Sequence, residues 1–245
     1  MPTITFKRRK LEYTVHRTAG QKTLSLKVHR DGQVAVGAPG FVKQMELRRF
    51  VVKRAGWILE KQSYFSDLAR RCPPKEFKNG ETFPVLGRNH RLKVLHRPGI
   101  SEPVCISEGR RLKVLVAGQI GDALRRSVKK SVCTWYGTLT DRKARAVIRK
   151  HADSLAVRPR ELRVVDQAKR WASCSKTGQI RCNWRLSMFP MPVLEYVVVH
   201  ELCHLRTHDH SERFWRLLKS VLPDYQRRRE WLRREGPALL VGGEL

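Results

Sequence analysis

The segment VVVHELCHLRTHDHSERFW, residues 197–215, places three histidines and one glutamate directly after a run of valines. If residues 193–205 form an α-helix, His200 and His204 lie on one face, roughly 6 Å apart, where they can bind one small cation. Glu201, turned about 100° from His200, would face a water that the metal activates without binding the metal itself. The pattern H-E-x-x-H therefore predicts zinc on the two histidines and Glu201 as general base.

A catalytic zinc site needs a third protein ligand. On a continued helix, His208 would lie roughly 12 Å along the axis from His200, too far to share an ion. Asp209 and Glu212 have the spacing of a capping box, which predicts that the first helix ends near residues 206–208 and a second begins at Asp209. His210 would then lie in the first turn of that second helix and return over the first, so we predict it as the third ligand. The aromatic residues expected to hold this return are Phe214 and Trp215.

Other residues of metal-binding type have simpler interpretations. Two histidines at helical spacing also occur as a hydrogen-bonded pair in a protein core. Cys203 points about 100° away from His204 and is expected to be a core residue. Cys174 and Cys182 stand eight residues apart across a predicted hairpin, and we do not expect a second zinc site there. The remaining histidines are expected to be surface or structural residues: His16, His29, His90, His96 and His151.

Charge dominates the composition. The 245 residues include 51 Lys and Arg against 22 Asp and Glu, for a net charge of +29. Self-repulsion of this size opposes compaction unless a polyanion relieves it, so we expect a nucleic acid or another polyanion as partner. The alternative is a solvated basic surface with no such partner. A protein or peptide substrate is the other expected partner, and the sequence leaves the oligomeric state open.

Several features of the sequence concern its compartment. No apolar run approaches the roughly 20 residues that a membrane span requires, and the opening MPTITFKRRK lacks a secretory signal. The six cysteines form no C-x-x-C pair and are expected to be reduced thiols. We therefore expect a soluble cytoplasmic protein with no membrane partner.

The hydrophobic periodicity predicts an α+β fold. Residues 11–37 alternate at period two around Asp31-Gly32, which indicates a small antiparallel sheet, and residues 43–69 have the period of one helix. Further strands follow up to residue 116, and a helix is predicted over residues 121–155. Beyond it, a strand, a hairpin and the histidine-bearing helix are predicted, at residues 161–166, 169–186 and 193–205. We predict a β-rich N-terminal lobe over residues 1–120 and a second lobe of helices and strands over residues 121–245.

The spacing of the three histidines is also that of metzincins, but Thr207 replaces their glycine and no methionine follows His210. The segments RWASCSKTGQIRCNWRL (170–186) and PMPVLEYVVVHELCHLRTHDHSERFW (190–215) instead resemble the YgjP-like metallopeptidase-domain family. The same resemblance extends to earlier segments: LSLKVHRDGQVAVGAP (24–39), GWILEK (56–61) and GETFPVLGR (80–88). Ala172 stands where family members usually carry glycine.

The resemblance implies a zincin-type catalytic lobe, Zn²⁺ on His200, His204 and His210, and Glu201 as catalytic acid/base. The family is similar to the SprT/Spartan and WLM peptidases, some of which act on proteins attached to DNA. Three classes of function remain open: a zinc metallopeptidase, a zinc phosphohydrolase acting on nucleotides or polyphosphate, and a nucleic-acid-binding protein with a structural zinc. A structural zinc needs no general base, so the presence of Glu201 argues against a nucleic-acid-binding protein with a structural zinc.

Overall fold

A computed structural model describes residues 1–29, 31–71, 73, 75–167 and 170–241 of the chain. It divides into two compact units, residues 1–73 and 74–245. Both units combine helices with small sheets, so the predicted α+β class is confirmed. The domain boundary predicted between residues 120 and 121 stays a prediction. Among the helices of the described residues, none is both long enough and apolar enough to cross a bilayer.

The first unit contains two small sheets and two helices. In chain order, its elements are β1 (Thr3–Phe6), β2 (Arg9–Glu12), β3 (Thr14–Arg17), β4 (Ser25–Val28), β5 (Val34–Ala38), α1 (Gln44–Lys53) and α2 (Ala55–Arg71). β4 and β5 form the predicted antiparallel hairpin, in which Gly32 adopts a φ of 86°. β5, however, is the central strand and pairs in parallel with β3. The expectation of a wholly antiparallel sheet was therefore wrong. The alternation of apolar and polar residues shows which side chains of a strand point inward, but it does not show which strand lies beside it or whether the two run parallel.

The single helix predicted over residues 43–69 is also wrong, because the chain forms α1 and α2 with a break at Arg54. The Arg54 guanidinium lies 4.0 Å from the centroid of the Phe50 ring, and the Arg54 N–H donates to the carbonyl of Val51. Both helices bury apolar side chains in one core, including Leu47 on α1 and Ile58 on α2. The break lets two short amphipathic stripes pack into the same core.

The second unit begins with a four-stranded sheet that packs on a long helix. The elements here are β6 (Thr82–Val85), β7 (Arg88–His96), β8 (Val104–Glu108), β9 (Arg111–Val116) and α3 (Gly121–His151). The strand order is β6-β7-β9-β8, with β7 and β9 parallel. Alternate residues of the sheet, among them Leu92 and Leu112, are buried in one core with Tyr136 of α3. α3 ends four residues before the predicted position.

The β6–β7 turn contacts the segment that leads into the histidine-bearing helix. Leu86 and Gly87 have φ values of 47° and 79°, and their backbone N–H groups donate to the carbonyls of Ser187 and Met188. A Cβ added at Gly87 would lie 2.9 Å from the Cγ of Pro190. Glycine is therefore required here both by its backbone conformation and by the close approach of the proline.

The rest of the second unit surrounds one buried helix. Its elements are β10 (Glu161–Val165), β11 (Ala172–Cys174), β12 (Gln179–Asn183), a 3-10 helix (Trp184–Met188), α4 (Met191–His204), α5 (Glu212–Val221) and α6 (Tyr225–Val241). β12 is central in the sheet, antiparallel to β11 and parallel to β10. α4 is buried on nearly all sides, as its valine run suggests.

Glu195 fixes α4 against its two neighbouring helices. Its carboxylate accepts hydrogen bonds from Lys150 and His151 at the end of α3, at 2.7 and 2.9 Å, and from Arg228 of α6, at 2.6 Å. The side chain is only 12% exposed. Because the same helix carries His200 and His204, these contacts also set the position of the candidate site.

Candidate metal centre

His200, His204 and His210 converge at the C-terminal end of α4. The Nε2 atom of His200 lies 3.2 Å from Nε2 of His204 and 3.1 Å from Nε2 of His210. A tetrahedral cation with metal–nitrogen bonds of about 2.0–2.1 Å would hold its ligand nitrogens about 3.3–3.4 Å apart. The ligand atoms of all three residues lie within 4.8 Å of one another, so the three imidazoles can share one cation.

The backbone fixes the orientation of His204. The Nδ1 atom of His204 lies 3.0 Å from the carbonyl oxygen of Thr207, so Nδ1–H donates and the Nε2 lone pair faces the other two rings. Thr207 itself is buried, and its N–H and hydroxyl both donate to the carbonyl of Cys203. The helix thus ends in a hydrogen-bonded turn. Thr207, which stands where metzincins carry glycine, does not have a positive φ.

His200 is the most enclosed of the three imidazoles. Burial, with smaller contributions from His204 and His210, lowers its pKa to about 3. Within the described residues its Nδ1 atom is buried and has no hydrogen-bond partner. A neutral imidazole keeps the lone pair that a cation needs, so the surroundings favour the form of His200 that binds metal.

His210 reaches the site from the loop between α4 and α5. The predicted capping box is wrong: α5 begins at Glu212 with Ser211 as its N-cap, and the Asp209 carboxylate accepts the Ser211 N–H at 3.4 Å. His210 therefore precedes the helix, because the short Asp209 side chain caps a turn of the loop. His208 is exposed and lies outside the histidine cluster.

Two aromatic side chains of α5 hold the cluster together. The Phe214 ring is fully buried, with centroids 4.8, 4.7 and 4.9 Å from those of His200, His204 and His210. The Trp215 ring stacks on His210 at 5.6 Å. Their packing gives the loop histidine a defined position although its own ring is exposed.

Glu201 follows His200 on α4, and its side chain is buried. Burial raises its pKa to about 7, opposed by the charge of Arg170 and by a hydrogen bond from the Cys174 backbone N–H. The carboxylate is thus attached to β11 on one side and lines the same cleft as His200 on the other. Its placement is that of a group that can exchange a proton with a molecule bound in the cleft.

The cleft has a volume of about 540 Å³ and combines apolar and basic walls. Three of its lining residues were not anticipated from the sequence: Arg170, Tyr196 and Arg229. Tyr196 could have been found, because it precedes His200 by one helical turn. Arg229 lies on α6, with its guanidinium 4.8 Å from the Trp215 ring centroid, and no local pattern connects it to the histidines.

The described cysteines are free thiols, and Cys72 lies outside the described residues. Cys203 is fully buried in the core, as expected, and burial raises its pKa to about 12. In the described part of the chain, no second group of three metal-binding side chains accompanies Cys174 or Cys182.

Comparison with known proteins gives one strong result. No curated protein matches the sequence. One solved structure, that of the metallopeptidase zymogen of Pyrococcus abyssi abylysin, is 22% identical, with 38% of this chain and 95% of that chain covered, but its TM-score of 0.34 is too low to support any argument. The family described as YgjP-like, metallopeptidase domain, matches residues 22–235, most of the chain. The resemblance seen in the sequence is thereby confirmed, and the chain belongs to the YgjP-like metallopeptidase-domain family of metal-dependent hydrolases.

Proposed function

We propose that this protein is a zinc metallopeptidase in which His200, His204 and His210 bind the metal and Glu201 is the general base. The observation that carries the proposal is the convergence of three imidazole Nε2 atoms, one of them on His200, which lines a cleft together with the buried carboxylate of Glu201. Three neutral imidazoles are a donor set that suits zinc and leaves a coordination position for water.

A zinc ion held there would act as a Lewis acid and supply an activated water near neutral pH. Glu201 would take the proton from that water and pass it to the leaving amine. The N–H of Cys174 fixes the orientation of the carboxylate during this transfer. Tyr196 and Trp171 line the cleft and exclude bulk water from one side of the reacting bond.

The position of β11 supports a peptide as substrate. Among the described residues, β12 alone pairs with β11, so β11 is an edge strand of its sheet. Ala172, at the start of β11, lines the cleft. An extended peptide can add to such an edge through backbone hydrogen bonds, which would place a peptide bond near Glu201. A protein or peptide is therefore the substrate class that we propose.

A zinc phosphohydrolase is the second candidate, because Arg170, Arg229 and Arg233 line the same cleft. Guanidinium groups bind phosphate oxygens with good geometry. Arg233, however, already pairs with Glu230 at 2.7 Å, which leaves fewer guanidinium groups for a triphosphate. A purely structural zinc is the least favoured reading, because it would leave the buried Glu201 without a role.

We also propose that nucleic acid brings protein substrates to the enzyme. The support is the net charge of +29, which favours binding to a phosphate backbone. Binding of nucleic acid does not depend on the peptidase chemistry, so it needs an experiment of its own.

The decisive experiment compares the wild-type protein with Glu201→Gln on both classes of substrate. We expect new amino termini on an unfolded protein substrate, and a loss of rate of about 10² or more in Glu201→Gln with zinc content retained. Glu212→Gln, an exposed acid on α5, is the matched control and should keep its activity. Zinc-dependent release of phosphate from nucleoside triphosphates, with no new amino termini, would show that the phosphohydrolase reading is correct instead.

A further inference from the structure

The outer face of the β6-β7-β9-β8 sheet carries like charges in direct register. β7 and β9 are parallel neighbours, with Arg91 opposite Arg111 and Lys93 opposite Lys113. Neighbouring strands lie about 4.8 Å apart, and like charges placed directly opposite each other destabilise a sheet. Two successive pairs of this kind need a reason other than the stability of the fold.

These four side chains share the face of the sheet that points away from the core. Leu92 and Leu112 alternate with them and are buried against α3, so the charged residues project to the opposite side. Arg91, Lys93 and Arg111 are exposed, and Lys113 is partly exposed. The two pairs therefore form a ladder of positive charge that is open to solvent.

A concavity of about 810 Å³ lies at one end of this ladder, lined by Arg91, Arg110, Arg111 and Lys113 among others. Glu108 is the one carboxylate in its lining, and it pairs with Lys113. Glu108 also stands directly opposite Arg111 in the β8–β9 register, so its one negative charge faces two of the four cations. Among the described residues, no carboxylate pairs with Arg91 or Arg110. The positive charge of this concavity is therefore largely uncompensated by the protein.

We propose that this sheet face, with the ladder Arg91, Lys93, Arg111 and Lys113, is the docking site for the phosphate backbone of double-helical nucleic acid. Phosphates would relieve the repulsion between the paired cations and release counterions. The outer positions of these strands hold no Phe, Tyr or Trp, so the bases of a single strand would find no ring on which to stack. A duplex presents its phosphates outward and needs no such ring. The inference rests on the proposed nucleic-acid partner but not on the peptidase activity.

The test uses Arg91→Gln with Lys93→Gln, a double variant that removes one member of each like-charge pair and keeps the Glu108–Lys113 ion pair. Fluorescence polarisation with a DNA duplex of about 20 base pairs is measured over a series of salt concentrations. The slope of log affinity against log salt should fall by about 2, and affinity at ~100 mM salt should fall at least about tenfold. The matched control is Arg125→Gln with Lys130→Gln, two exposed cations on α3, which should bind the duplex like the wild-type protein.

The outcomes separate the two proposals. If the wild-type protein fails to bind the duplex at low salt, the nucleic-acid partner itself is wrong. If the wild-type protein binds but the two double variants lose affinity equally, the partner stands and this docking site is wrong. Tighter binding of single-stranded DNA than of duplex would contradict the duplex assignment.

The thermal stability of the Arg91/Lys93 variant tests the repulsion itself. Without nucleic acid, this variant should melt at a higher temperature than the wild-type protein, because cross-strand repulsion is removed. A lower melting temperature would contradict the repulsion on which the proposal depends.

Discussion

The three histidines differ in what supports each ring. His204 is oriented by the carbonyl of Thr207, His200 by ring contacts with Tyr196 and Phe214, and His210 by stacking on Trp215. Two of the proposed ligands thus belong to α4, while the third is positioned by a loop and its aromatic neighbours. Each support can be tested by a single substitution.

Removing a ligand should remove the metal. We expect His204→Ala and His210→Ala to lose zinc to a chelator, because two remaining ligands rarely retain the ion. His208→Ala is the control and should retain about one zinc per chain, since His208 is outside the cluster. Metal content is measured after gel filtration with chelator. If the His208 variant loses zinc and the His210 variant retains it, then His208 and not His210 is the third ligand.

Phe214 should affect both stability and metal binding, because its buried ring contacts all three histidines. Truncation of Phe214 to Ala should lower the free energy of unfolding by about 3–5 kcal/mol. Phe214→Leu should lower the free energy of unfolding by less, since it leaves a smaller cavity. It should also retain more of the zinc affinity than Phe214→Ala. Denaturant unfolding and a zinc competition assay measure the two effects. Equal zinc affinity in the Ala variant and the wild-type protein would show that the ring does not position the ligands.

At the scale of elements, α4 is held by ion pairs as well as by its apolar sides. Burial alone would raise the pKa of Glu195, but hydrogen bonds from His151, Lys150 and Arg228 lower it from 4.5 to about 2. A carboxyl group with a lowered folded-state pKa stabilises the fold above its unfolded pKa. Its contribution is lost as the pH falls from 4.5 towards 2.

Glu195→Gln should therefore destabilise the protein in a pH-dependent manner. At pH 7 the loss should be at most about 3 kcal/mol in the free energy of unfolding. The difference between variant and wild-type protein should shrink as the pH is lowered to about 3, because the carboxyl of the unfolded wild-type chain is then protonated while that of the folded chain still carries its charge. Urea unfolding at several pH values measures this difference. A difference that stays constant with pH would mean that the charge of Glu195 does not stabilise α4.

At the scale of the whole molecule, zinc should be part of the stability of the folded chain. A ligand that binds only the folded state stabilises it by about 2.7 kcal/mol at 100 times its dissociation constant. For a chain of this size, that corresponds to a rise in melting temperature of roughly 5–10 °C. Calorimetry with and without zinc measures the shift, and His204→Ala is the control that should show none. An unchanged melting temperature for the wild-type protein would contradict a site formed only on folding.

The sequence by itself determined the features that depend on local geometry. The spacing of His200 and His204 on one helical face follows from the hydrogen-bonded geometry of an α-helix, which packing hardly changes. The turn at Gly32 and the α+β class followed in the same way from residue type and periodicity. The family resemblance came from contiguous segments of the chain.

Only the tertiary structure decided which distant residues meet. The parallel pairing of β3 with β5, the break at Arg54, and the position of Arg229 in the cleft all depend on packing between separate elements. His210 is intermediate between the two groups. Its position next to His200 and His204 was expected from the sequence, but its location in a loop before α5 was not. The physical reason is that local periodicity limits the backbone over one or two turns, whereas the neighbours of each element are chosen by burial of apolar surface across the whole unit.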